Sequence, residues 1–80
     1  VASHDRLRNR LKVLRAERDL TQAELARRVG VTRKTINTVE NGVFVPSTVL
    51  ALALARELGV PVEEIFQLDG PGAAVSSARS

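Results

Sequence analysis

Arg33, Lys34, Asn37 and Thr38 lie within six residues and offer a guanidinium, an ammonium, a carboxamide and a hydroxyl. On a helix, residues 33 and 37 stack one turn apart, as do 34 and 38, so these groups gather on one side. All four exchange hydrogen bonds and none is poised to make or break a covalent one. A guanidinium pairs with the O6 and N7 acceptors of guanine, Lys34 suits the same acceptors or a phosphate, and Thr38 suits a thymine methyl. The plainer account of both cations is phosphate contact alone, which carries no sequence information. Catalytic chemistry lacks material: there is no Cys, His4 is the single His, and the nine acids are scattered. No nucleophile–base pair or metal-ligand set can be assembled from these residues, so we expect no enzyme, no metal and no cofactor.

Those four residues need a short helix held at an exposed angle, and residues 21–42, TQAELARRVGVTRKTINTVENG, predict how it is held. Leu25, Ala26 and Val29 share one helical face and Ile36 and Val39 another, so the segment reads as two short amphipathic helices. Gly30 follows Val29 where a chain leaving a helix turns left-handed. Thr21 and Thr32 occupy the two N-cap positions, and Glu24 completes a capping box with Thr21. Ala23 and Ala26 are small where crossing helices approach. The pattern predicts a helix-turn-helix whose second helix begins on Arg33 and Lys34, a geometry that sets an N-terminal turn against base edges in the major groove of DNA. Thr21, Thr32, Thr35 and Asn41 are phosphate candidates through hydroxyl, amide or main-chain donors, with capping or turn formation an equally good account of each. Gln22 opens the first helix of the motif beside main-chain N–H groups that favour anions.

Eighty residues with 44 % apolar content predict one small domain, near the lower limit for a core without staples. Two Phe and no Trp or Tyr leave Leu, Val, Ile and Ala to build that core. The charge is uneven. Residues 1–42 hold ten of the 12 Lys and Arg against five acids, a balance of +5; residues 43–80 balance at −2, and the halves sum to the net +3. A basic half that carries the helix-turn-helix is the electrostatic footprint of a phosphate backbone, although a solvated Arg-rich surface produces similar counts. No apolar run approaches the ~20 residues of a membrane span, and residues 1–10, VASHDRLRNR, hold no hydrophobic stretch for a secretory signal. The expectation is a soluble cytoplasmic protein with no membrane partner and no small-molecule domain.

Three further helices are predicted. Leu7, Leu11 and Leu14, at i, i+4 and i+7, predict a first helix over 6–18, started by His4 or Asp5 and closed at Asp19-Leu20. Ser47 is placed to cap a helix over 48–58, stopped by Gly59 and Pro61, and residues 62–66 read as a fifth short helix with Glu63 and Glu64 in its first turn. Gln67-Leu68 is able to extend as a brief strand. The fold expectation is all-α, a compact five-helix domain over residues 1–68 with a short C-terminal β-segment, followed by a disordered Gly-, Ala- and Ser-rich tail over 69–80. The helix over 48–58 is apolar nearly all round, more than a lone core requires. Val49 and Leu52, with Val62, Ile65, Phe66 and Leu68, are therefore expected to form a self-association surface; the bland alternative is that Ala tolerates exposure.

The stretch LTQAELARRVGVTRKTINTVENG, then Pro46-Ser47, then LGVPVEEIF over 58–66, resembles the lambda-repressor-like, Cro-type helix-turn-helix family, also called the xenobiotic-response-element family of bacterial and phage regulators. The resemblance covers roughly Leu7 to Phe66. Its length and ending are similar to small, stand-alone dimeric members, for which the resemblance implies five helices supplemented by a C-terminal β-segment that assists dimerisation. It further implies base readout at the positions of Arg33, Lys34 and Thr38 and a phosphate contact at Gln22. An Arg of the first helix pairing with a Glu at the end of the third is implied at Arg15 and Glu40. One departure stands out: the loop after the third helix, often basic in relatives, is Val43-Phe44-Val45 here, which points to packing, with a partner subunit as one candidate, rather than phosphate contact.

The expectation for function is a sequence-specific regulator of transcription, a homodimeric repressor that reads a palindromic operator in double-stranded DNA with its third helix. A second reading, from a different class, is an antitoxin-type module whose apolar fourth helix binds a protein partner and whose helix-turn-helix regulates its own synthesis.

Overall fold

The structure is a computed structural model that describes residues 6–69. It runs β1 (Arg6–Asn9), α1 (Leu11–Glu17), α2 (Gln22–Val29), α3 (Arg33–Glu40), α4 (Thr48–Leu58), α5 (Val62–Ile65) and β2 (Phe66–Asp69). The five helices and the short C-terminal strand are as expected, and the strand has an N-terminal partner that makes a two-stranded sheet. The starting residues expected at His4 or Asp5, and residues 70–80 of the expected tail, lie outside the described residues. Asp69, the first residue of that expected tail, closes β2.

The sheet corrects the first predicted helix. β1 and β2 pair antiparallel with Leu7 opposite Leu68 and Asn9 opposite Phe66, so helix begins at Leu11 rather than Arg6. Leu7, Leu11 and Leu14 satisfy a helical period, yet Leu7, Arg8 and Asn9 satisfy a strand period as well: half-buried, exposed, half-buried. Four residues cannot decide between the two. A partner strand some sixty residues along the chain decided it by taking up the main-chain donors and acceptors of the segment.

The other boundaries follow local chemistry. Thr21 accepts the Glu24 N–H at 3.0 Å while the Glu24 carboxylate accepts the Thr21 N–H at 2.8 Å, a complete capping box. The bond from the Thr21 main-chain N–H foremost, and then the Thr21 hydroxyl beside the carboxylate, hold the Glu24 carboxyl below its ordinary value of 4.5. Thr32 Oγ1 accepts from the Thr35 N–H at 3.2 Å and Ser47 Oγ from the Leu50 N–H at 3.1 Å, opening α3 and α4. Gly30 and Gly59 end α2 and α4 at φ of 78° and 72°, and the residue after each donates back to a helix carbonyl, Val31 to Ala26 and Val60 to Ala55.

Leu11, Leu25, Ile36, Leu54, Ile65 and Val39 are the largest fully buried side chains, and they come from all five helices. Burial of each aliphatic side chain stabilises the fold by about 1.5–3 kcal/mol before conformational entropy is set against it. α4 gives Leu50, Leu54, Ala55 and Leu58 to this core. Its outward face leaves Val49 78 % and Leu52 55 % exposed.

Candidate nucleic-acid interface

α2 and α3 pack as consecutive short helices joined by Gly30-Val31-Thr32, with Leu25 and Ala26 facing Ile36 and Val39 across the core. That packing buries one side of α3 and leaves the opposite side to solvent. Arg33, Lys34, Asn37 and Asn41 are exposed there, and Thr35 and Thr38 half-buried. Among the described residues neither Arg33 nor Lys34 enters an ion pair. The first turn of α3 therefore presents two cations next to its own unpaired main-chain N–H groups, where the helix dipole also favours an anion.

α3 is braced from below. Arg15 Nε donates to Glu40 Oε2 at 2.6 Å and its Nη2 to Glu40 Oε1 at 3.3 Å, while its Nη1 donates to the Leu20 carbonyl at 2.7 Å. The two side chains are 14 % and 2 % exposed, so the pair sits almost out of water between α1 and the end of α3. Gln22 joins this network: its Nε2 donates to Glu40 Oε1 at 3.0 Å and to Asn37 Oδ1 at 3.2 Å. Asn37 Oδ1 also accepts from Asn41 Nδ2 at 3.3 Å. With both hydrogens of its Nε2 engaged, the Gln22 side chain has only a carbonyl oxygen left, which a phosphate repels. The main-chain N–H of Gln22 remains as a donor for the phosphate contact that the resemblance implies.

The remaining expected residues fall as follows. Thr21 and Thr32 act as caps and are exposed, and the Thr32 and Thr35 hydroxyls lie 3.1 Å apart. Thr38 Oγ1 donates back to the Lys34 and Thr35 carbonyls at 3.1 and 3.0 Å, which commits its one hydrogen and leaves its methyl and its oxygen lone pairs for contact. Of the residues expected to self-associate, Val49, Leu52 and Leu68 are exposed and Val62 and Phe66 half-buried. Ile65 is fully buried within the single chain, so it has no surface for a second copy and is removed from that set. Val43, Phe44 and Val45, expected to pack, stand 78 %, 47 % and 68 % exposed. With Leu7, Pro46, Leu52, Val62 and Phe66, Val45 lines an apolar groove of about 290 Å³.

Asn9 is the supporting residue that sequence reasoning missed. Its Oδ1 accepts the Leu11 N–H at 3.1 Å, opening α1, and its Nδ2 donates to the Val39 carbonyl at 2.9 Å, near the C-terminus of α3. An Asn before Leu11 was a visible capping signal, but the Leu7 periodicity placed it inside a helix. Among the described residues no group of acids or His has the spacing for a metal ion, and no helix is long and apolar enough to cross a membrane.

Residues 11–65 match the family model described as helix-turn-helix. The chain belongs to the Cro/C1-type, or xenobiotic-response-element, helix-turn-helix family. It is a DNA-binding transcriptional regulator and not an enzyme. A helix-turn-helix-type transcriptional regulator of Methanothermobacter thermautotrophicus is 50 % identical over 68 residues, covering 84 % of this chain and 99 % of that small stand-alone protein. The restriction-modification controller protein C.AhdI of Aeromonas hydrophila superposes with a TM-score of 0.66 at 36 % identity, over 69 % of this chain and 83 % of that one. The cryptic phage CTXphi transcriptional repressor RstR of Vibrio cholerae is 37 % identical over 57 residues, 71 % of this chain and 51 % of its own length.

Proposed function

We propose that this family member is a cytoplasmic homodimeric repressor that reads a palindromic operator in double-stranded DNA, with α3 in the major groove. The observation that carries the reading is the first turn of α3, where exposed Arg33 and Lys34 stand on a helix braced by the nearly buried Arg15–Glu40 pair. Rigid support matters because base readout rests on donor positions held to within a hydrogen-bond tolerance. Arg33 reads guanine through O6 and N7, Lys34 a neighbouring base or its phosphate, and the Thr38 methyl a thymine methyl; Asn37 reads beside them. Thr21, Thr32, Thr35 and Asn41, with the Gln22 main-chain N–H, hold the phosphates on either side and fix the register.

One such module touches few base pairs. Two related by a two-fold axis read half-sites about 34–36 Å apart, and the exposed Val49, Leu52 and Leu68, flanked by Val62 and Phe66, supply an apolar surface for that pairing. Repression is supported by the similarity to RstR, whose name states that role. Binding-site selection from random duplex DNA at stated salt tests the reading. Arg33→Ala is expected to flatten preference at one or two base pairs by about 5- to 150-fold while non-specific binding survives. Equal weakening for every duplex would make Arg33 a phosphate clamp and remove its role in readout. Sedimentation is expected to give a dimer at micromolar concentration that Leu52→Glu dissociates; a wild-type monomer that still selects a palindrome would overturn the homodimer.

A further inference from the structure

The side chains beneath α3 form a chain of hydrogen bonds whose direction is forced at every link. Arg15 has only donors and Glu40, as a carboxylate, only acceptors. Because Glu40 Oε1 must receive a hydrogen, the Gln22 atom 3.0 Å away is its NH2 and not its carbonyl. That same NH2 lies 3.2 Å from Asn37, so the Asn37 atom facing it is Oδ1. Asn41 Nδ2 at 3.3 Å takes up the second lone-pair direction of this oxygen. The Asn37 carbonyl is saturated from within the chain. Its Nδ2 enters no hydrogen bond among the described residues, on a residue exposed one turn beyond Arg33.

A free Asn recognises adenine by accepting from N6 while donating to N7. Asn37 has lost the accepting half of that pair. We propose that Asn37 is a donor-only reader that selects guanine over adenine at the base it faces, and that Gln22 is the positioning residue that imposes this choice. Guanine meets the two Asn37 hydrogens with O6 and N7; thymine offers O4 alone, adenine N7 alone beside an opposing N6 amino group, and cytosine only an opposing amino group. The inference rests on α3 reading the major groove, as proposed above, and adds which base edge one of its residues takes.

Selection from random duplex DNA by the full chain, at one salt concentration, compares wild type with Asn37→Asp, Asn37→Ala and Gln22→Leu, each checked for native helix content by circular dichroism. Wild type is expected to favour guanine over adenine about tenfold at one position of each half-site. Asn37→Asp keeps an oxygen toward Gln22 and turns a second one outward, so preference at that position alone moves to cytosine, whose N4 donates. Asn37→Ala leaves the four bases there within about twofold. Gln22→Leu frees the amide to turn, because the Asn41 amide makes no other side-chain hydrogen bond among the described residues and turns with it, and adenine rises to within about twofold of guanine while the positions read by Arg33 and Lys34 hold. If Gln22→Leu leaves the guanine-to-adenine ratio unchanged, or if Asn37→Asp weakens all sequences alike, the inference is overturned. If wild type selects no sequence at all, the major-groove reading itself falls, an outcome distinct from a selected site that ignores Asn37 and Gln22.

Discussion

Replacing Arg15 by Met should destabilise the domain far more than replacing its partner Glu40 by Leu. The asymmetry comes from what each change leaves behind. Without Arg15, a carboxylate whose side chain is 2 % exposed retains a single donor, the Gln22 amide at 3.0 Å. Removal of one partner from a buried pair costs about 3–5 kcal/mol, and the remaining amide places Arg15→Met near the lower end, about 3 kcal/mol. Without Glu40, the guanidinium keeps the Leu20 carbonyl at 2.7 Å and, at 14 % exposure, reaches water with a small rotation. Glu40→Leu is accordingly expected to cost about 1.5–2 kcal/mol, at the low end for a lost hydrogen bond to a charged group. The double variant, with neither charge buried, should cost less than the sum of the singles by about 1–3 kcal/mol. Against a total stability of about 5–15 kcal/mol these differences are large, and urea unfolding followed by circular dichroism resolves them. Two equal singles, a strictly additive double, or an Arg15→Met cost below about 1 kcal/mol would refute the reasoning and make the pair equivalent to an exposed one.

Gly59→Ala meets no atom within 4 Å of its new Cβ, so its cost is backbone strain at φ 72° alone, about 1 kcal/mol by urea unfolding. A cost above about 3 kcal/mol would reveal a clash that the geometry does not contain. Leu54→Ala empties a fully buried position in the middle of α4 and should cost about 2–5 kcal/mol, with a lower urea midpoint at unchanged slope. The Glu24 carboxyl is held below 4.5 by Thr21, so its contribution is fully present above that pH and is lost as pH falls through the lowered value. The stability gap between wild type and Glu24→Ala, followed by thermal unfolding across that range, should therefore shrink on acidification; a gap that widens would reverse the sign of the linkage.

The residues of the helix-turn-helix were legible because their determinants are local. Thr21 with Glu24, Thr32, Ser47, Gly30 and Gly59 act on main-chain groups within a few positions of themselves, and each does so in the structure. Apolar spacing in α2 and α3 fixed which side of each helix turns inward, and so which side carries Arg33, Lys34 and Asn37 outward. A short segment whose residues fit two periods was not legible. Leu7 to Asn9 became strand through pairing with Phe66 to Leu68, a partner the local sequence does not specify. Nor does spacing separate surface from core where α5 passes into β2: Ile65 and Phe66 are adjacent apolar residues, and packing alone buried the first completely and the second in part. Residue types and their spacing by themselves put donors and cations on the outward side of a short helix. Tertiary structure alone decided which hydrogens those donors keep, because Gln22, Asn37 and Glu40 come from two helices and meet only once α2 lies across α3.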